Sequence, residues 1–259
     1  MKNLPIVTLC LTSYNRREKL KNCIESFLKT NLYPIENIEI VIVDNGSDDK
    51  ETVDFIERLD IKCFGVKKHF NEKNDYPFCL RRAKNQARAL ASGEYFIDCP
   101  DDHLFVVKTD WITNCIEYIA QEKNTSCVCH YAYPEYRFSK PNNKMKRSSV
   151  DASFYVSELK GYADYHIMKR QTYEKIGHYR EDLAFTPNAE SEYMDRSYGM
   201  GYRRSMPLVP VSIINEQCYS LTESLSLGEV NQVIPLIEQN RPISNETLTI
   251  ICKKLNKIS

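Results

Sequence analysis

Apolar positions along the first hundred residues alternate between two periods. Pro5–Leu11 (PIVTLCL) and Ile38–Val43 (IEIVIV) are short, β-branched runs that read as buried strands, the second stopped by Asp44-Asn45-Gly46. Between them, residues 16–30 carry apolar side chains at positions 20, 24, 27 and 28, a helical spacing. Residues 48–59 read as a second helix, with acids in its first turn where the helix dipole favours them. Residues 61–66 are expected as a third strand and 79–91 as a helix ended by Gly93. A fourth strand, 94–99, runs straight into Pro100-Asp101-Asp102-His103. Repeated strand–helix alternation predicts an α/β fold, a mostly parallel sheet with helices on both faces.

The second half is less regular. Residues 109–121 read as a helix, 126–133 as a strand, 162–168 as a strand, 171–176 as a helix ended by Gly177, 190–198 as a helix and 208–214 as a strand. Residues 134–152 are polar and basic without apolar periodicity, and are expected to be a mobile loop. Residues 229–257 read as two helices separated by Arg241-Pro242. The expected organisation is one domain over 1–228, with a nucleotide-binding half to about 103 and an acceptor half after it, then a C-terminal helical extension over 229–259.

Composition narrows the class. The 259 residues carry 35 basic and 35 acidic side chains, and this neutral balance argues against a nucleic-acid binder. No run approaches the roughly 18 apolar residues that cross a bilayer, and the apolar start lacks a small-residue cleavage site. The expectation is a cytoplasmic protein that can contact the inner membrane face peripherally. Ten cysteines without a Cys-x-x-Cys pair read as buried thiols in a reducing compartment. Gly199-Met200-Gly201 is the sole Gly-x-Gly, so neither the dinucleotide fingerprint nor a P-loop is present. Phosphate, if handled, must be held by a metal or by side chains.

Ligands of open α/β sheets bind beyond the carboxyl ends of strands. Three such ends are polar here: Thr12 to Arg16, Asp44 to Asp49, and Asp101-Asp102-His103. Adjacent carboxylates repel, and a hard divalent cation such as Mg²⁺ or Mn²⁺ would offset that while binding a diphosphate. The bland alternative is a solvated strand end, and for Glu190 an acid in the first turn of a helix.

The motifs LTSYNR, IVIVDNGSDD and ASGEYFIDCPDDH, followed by HIMKRQTYEKIGHYRED and AESEYMDRSYGMGYR, resemble family 2 glycosyltransferases of the GT-A fold, in order over residues 4–215. The resemblance implies a Rossmann-like sheet, a nucleotide-diphosphate-sugar donor, Mn²⁺ or Mg²⁺, and inversion at the anomeric carbon. It implies that Thr12, Ser13 and Tyr14 line the base pocket, with Arg16 and Asn45 beside it, and that Asp44 binds base or ribose. A uracil imide N–H suits Asp44, so a UDP-sugar is favoured. Lys84 and Asn85 fall on the family's Arg-Asn pair near the donor. The family's Asp-x-Asp overlies Pro100-Asp101-Asp102, with proline replacing the first acid; Asp102 is the implied metal ligand, Asp101 lies at the donor, and Asn215 is the second implied ligand. Glu190 falls on the catalytic base and Glu192 on the following acid. The implied acceptor is a hydroxyl of a glycan or lipid-linked glycan of bacterial surface type. Two other readings stay open. A sugar nucleotidyltransferase would want a Gly-rich loop where LTSYNRR has none, and a non-catalytic binding protein is kept open by Pro100.

Overall fold

The computed structural model describes residues 4–74, 79–106, 108–130, 145–157, 165–182, 186–207 and 212–214. The first half runs β1 (Val7–Ser13), α1 (Arg17–Thr30), β2 (Ile38–Asp44), α2 (Lys50–Arg58), β3 (Gly65–Phe70), α3 (Cys79–Leu90) and β4 (Tyr95–Pro100). The second half runs β5 (His103–Phe105), α4 (Trp111–Gln121), β6 (Thr125–His130), β7 (Met145–Arg147), β8 (Phe154–Ser157), β9 (Tyr165–Lys169), α5 (Arg170–Ile176), α6 (Thr186–Gly199), β10 (Arg203–Pro207) and β11 (Ser212–Ile214). All but β5 and β11 form one nine-stranded sheet in the order β3-β2-β1-β4-β9-β6-β10-β8-β7. Strands β1 to β4, β6, β7 and β10 run one way, and β8 and β9 run against them.

Every residue of β1 and β2 is buried, as continuous apolar runs covered on both faces require. One face is closed by Leu20, Cys23, Ile24 and Phe27 of α1 with Trp111, Ile112 and Cys115 of α4. The other packs the small residues Ala83 and Ala87 of α3, with Tyr173 and Ile176 of α5 and Tyr193 of α6, against Cys10, Val41 and Phe96. Asp49 starts α2 by accepting from the Glu51 and Thr52 amides. Gly177 ends α5 at φ +90°, a conformation that favours glycine. Gly46 has φ +77°, and a Cβ there would lie 2.3 Å from the Lys73 carbonyl carbon, so the turn after β2 tolerates no side chain.

The third strand is shifted from its expected 61–66 to Gly65–Phe70. In this register Lys67 of the edge strand stands 2.7 Å from Glu39, whose carboxylate is buried in β2 and also accepts from Thr8 and Ser92. The expected loop over 134–152 is corrected in part, since Met145–Arg147 pairs with β8 as the outermost strand of the sheet; 134–144 lie outside the described residues. Of the expected last strand, 208–214, the described part is β11, which pairs with β5; 208–211 lie outside the described residues, and β10 before them, in the main sheet, was not expected. Helix α6 begins at Thr186, so Glu190 sits in its second turn rather than its first. The expected C-terminal extension lies outside the described residues. Among the described residues, no helix is long and apolar enough to cross a membrane.

Candidate active site

The parallel register aligns Ser13 with Asp44, and Thr12 with Pro100, so the carboxyl ends of β1, β2 and β4 lie side by side. Ser13 Oγ donates to Asp101 Oδ2 at 2.7 Å. Arg16 Nη1 stands 3.4 Å from Asp101 Oδ1 and 3.6 Å from Asp102 Oδ2. Burial pushes the Asp101 carboxyl up to about 6; Ser13 and Arg16 oppose that shift and the neighbouring Asp102 charge adds to it. Asp101 is thus a held, buried group. The side chain of Asp102 is 22% exposed and that of Arg16 44%, so these two are the reachable charges.

Asp44 closes its own turn. Its Oδ2 accepts from the Gly46 and Ser47 amides at 3.1 and 2.8 Å, and its Oδ1 from Ser47 Oγ at 2.5 Å. A carboxylate offers about four acceptor positions, so about one remains for a ligand. Asn15, at φ +53°, stitches the loops after β1 and β2 together: its amide donates to Ser47 Oγ at 2.9 Å, its Nδ2 to Asp48, and its Oδ1 accepts from the Asp49 amide at 3.0 Å. The sequence placed Asn15 in the polar end of β1 without giving it a role, although asparagine tolerates this backbone region well. Thr12 and Asn45 are buried beside these loops, and Tyr14 is exposed.

The second group of site residues lies beneath α3 and α6. Lys84 Nζ donates to Glu190 Oε1 at 2.6 Å and stands 3.7 Å from Asp98 Oδ1. Arg88 Nη2 lies 2.7 Å from Asp98 Oδ2 and 3.2 Å from both His166 Nε2 and the Tyr179 hydroxyl. The Arg88 guanidinium faces the rings of Tyr179, Tyr173 and Tyr193 at 4.5, 4.6 and 5.6 Å. All four charged groups are buried. Burial pushes the Asp98 carboxyl up, but Lys84 and Arg88 outweigh it and hold the group at about 2. Burial likewise opposes the charge on Lys84, and Asp98 and Glu190 prevail, holding the ammonium well above its ordinary value.

The expected Lys84 and Glu190 therefore meet directly, while Asn85 and Glu192 have other partners. Asn85 is a clip: its Nδ2 donates to the Tyr179 carbonyl at 3.0 Å and Glu181 Oε1 at 2.9 Å, and its Oδ1 accepts from the Tyr179 amide. Glu192 does not share the face of Glu190, as residues two apart on a helix point in different directions. It accepts twice from Arg196, at 3.0 and 3.1 Å, and Arg196 also donates to the Ile176 and His178 carbonyls. His103 is buried edge-on against Tyr165, with ring centroids 4.7 Å apart, rather than exposed at a strand end. Asn215 lies outside the described residues; β11 before it pairs Ile214 with His103, next in sequence to Asp102. Asp98, Arg88 and Tyr179 were not singled out from the sequence. The available signal was an acid inside the apolar strand YFIDC, which burial obliges to find a cation.

Among the described residues, no three His, Cys, Asp or Glu side chains gather into a cation cage. A Mg²⁺-like ion bound with a diphosphate keeps waters and needs only one or two carboxylates. The reachable Asp102 fits that donor set, while Asp101 is buried, 5% exposed, and already held by Ser13 and Arg16. A depression of about 490 Å³ beside α1 and α2 is lined by Arg17, Glu51, Asp54 and Phe55 and holds none of the site residues.

Residues 8–184 match the profile of Glycosyl transferase family 2. The fold is shared with a mannosyltransferase from Pyrobaculum calidifontis, solved with GDP-Man and Mn²⁺, at TM-score 0.60 and 18% identity over 98% of this chain and 70% of that one. S. aureus TarS residues 1–349 give TM-score 0.60 at 14% identity, over 98% and 71%. GalNAc-T7, solved with UDP, GalNAc and Mn²⁺, gives 0.58 at 15%, over 83% and 44%. Among curated sequences, a Haemophilus influenzae protein named as an uncharacterised glycosyltransferase is 26% identical over 137 residues, 52% of this chain and 38% of its own length. An uncharacterised Sinorhizobium fredii protein is 26% identical over 139 residues, 53% of this chain and 14% of its own. This chain thus spans well under half of either curated relative. With the ordered sheet, the polar strand ends and a profile match over more than half of the chain, this protein belongs to glycosyl transferase family 2 and has the GT-A fold.

Proposed function

We propose that this protein is an inverting glycosyltransferase that moves a sugar from a nucleoside-diphosphate donor to a hydroxyl of a glycan or lipid-linked acceptor, as in bacterial surface polysaccharide synthesis. The observation that carries the reading is the Lys84–Glu190 pair, two residues 106 positions apart brought to 2.6 Å beside β4, the strand that Asp101 and Asp102 directly follow. Glu190 takes the acceptor proton as the new bond to the anomeric carbon forms. Asp102 would hold Mn²⁺ or Mg²⁺ with the donor diphosphate, and the cation would supply charge neutralisation of the leaving group. Arg16 supplies a second positive charge at the same end. The remaining acceptor position of Asp44 suits a uracil imide N–H, which favours UDP-linked donors, and Tyr14 offers an exposed ring beside it.

The test is release of free nucleotide from a panel of UDP-, GDP- and dTDP-hexoses with Mn²⁺, for the wild type and Glu190→Gln. Turnover of one donor that falls in the variant supports the reading. No turnover of any donor, or full activity in the variant, overturns it.

A further inference from the structure

We infer that Asp98 is a positioning residue for the reaction: it shares the Lys84 ammonium with Glu190 and, through its bond to Arg88, fixes where that ammonium stands. The inference rests on the assignment of Glu190 as the base. Lys84 approaches Glu190 at 2.6 Å and Asp98 at 3.7 Å, so one cation bridges two carboxylates that come from α6 and β4. Asp98 is itself held at 2.7 Å by Arg88.

Every element packed around the group contributes. From α3 come Lys84 and Arg88, from β4 Asp98, from β9 His166, from α5 Tyr173, from α6 Glu190 and Tyr193, and from the segment between the last two helices Tyr179. Arg88 has no acceptor atoms, so His166 Nε2 at 3.2 Å must accept from it. The two cations and two anions balance, and the tyrosine rings leave the Arg88 guanidinium no room to turn away. A charge-balanced, buried network of this kind resists rearrangement, because a member that moves away leaves a buried charge less compensated. Asp98 never reaches the reacting atoms. It acts by giving the Lys84 ammonium, already 2.6 Å from Glu190, a second carboxylate partner, which fixes the ammonium and through it the orientation of the base.

The experiment is a double-mutant cycle on the full chain: wild type, Asp98→Asn, Glu190→Gln and the double variant. Nucleotide release with Mn²⁺ from the donor panel gives kcat and donor KM, and calorimetry gives UDP affinity. Asp98→Asn should lower kcat about tenfold with donor KM and UDP affinity unchanged within about twofold, and should cost nothing further once Glu190 is Gln. Equal losses in both backgrounds would mean that Asp98 only supports the fold, and weakened UDP binding would mean that it serves the donor site; either overturns the inference. If Glu190→Gln keeps the wild-type rate, or no donor is turned over, the base assignment itself falls and takes this inference with it. Where Asp98→Asn does not fold, Tyr179→Phe removes only the hydroxyl bonded to Arg88. The same cycle with that variant should show a smaller loss, about threefold, again confined to the Glu190 background.

Discussion

The two halves of the site are built on opposite principles. At the ends of β1, β2 and β4 the polar groups sit on loops, and their bonds join neighbouring turns: Asn15 to Ser47 and Asp48, Ser13 to Asp101. Arg16 there is 44% exposed and can swing. Beneath α3 and α6 the groups sit on regular elements, are nearly inaccessible, and are joined at 2.6–2.7 Å. The first region has exposed side chains that can adjust around a ligand, as the diphosphate site proposed there would have to. The second is held by short buried contacts, as suits the base proposed there, which would have to meet a hydroxyl in one geometry.

The largest effect should fall in the rigid half. Glu190→Gln is expected to lose at least about 10²-fold in kcat while donor affinity changes by less than about threefold, since a general base acts in the transition state. Steady-state kinetics with calorimetry checks this, and an equal loss in both quantities would erase the contrast.

The next effect is on stability. Breaking one partner of a buried ion pair costs about 3–5 kcal/mol, so Asp98→Asn should lower the urea midpoint strongly at pH 7. Asp98 is held at about 2, below its ordinary 3.8, so its ionised form stabilises the fold above about pH 4 and that contribution is lost as pH falls towards 2. The wild type should therefore lose stability over this window and the variant should lose less. Parallel acid limbs would count against the network.

The exposed half should respond through ligand affinity. Asp102→Ala is expected to weaken UDP binding in Mn²⁺ at least about tenfold and to leave it nearly unchanged in EDTA. Affinity that is equal in Mn²⁺ and EDTA for the wild type would remove the metal from the scheme.

The smallest effect is at Arg16. Exposed ion pairs contribute about 0.2–1 kcal/mol, so Arg16→Gln should raise the affinity for Mn²⁺ alone by less than about fivefold, and less at high salt. Mn²⁺ titration by electron paramagnetic resonance reads this directly.

Legibility in the sequence followed the same divide. β1, β2 and β4 and their helices were readable because β1 and β2 are unbroken apolar runs and α1 keeps a helical period; β3, a half-buried edge strand, was misplaced. The strand-end loops were readable for the same reason, being local. β7 was not, because Met145–Arg147 joins the sheet at its edge and needs no apolar alternation there. β5 is only three residues long. The Lys84–Glu190 contact was out of reach of any local pattern, although family motifs had marked both residues. Nothing in the sequence set Arg88 apart within its helix, and only the fold reveals the three tyrosine rings that face it.

The position of β9 in the sheet has a consequence for the nascent chain. β4 gains its inner neighbour β1 early, but its other neighbour begins only at Tyr165. Until then β4 presents an open edge of Tyr95, Phe96 and Ile97, the kind of surface that captures strands from other chains. Asp98 sits in the middle of that edge. A carboxylate there penalises intermolecular pairing, so the residue that later joins the ion network first guards the half-made sheet against aggregation.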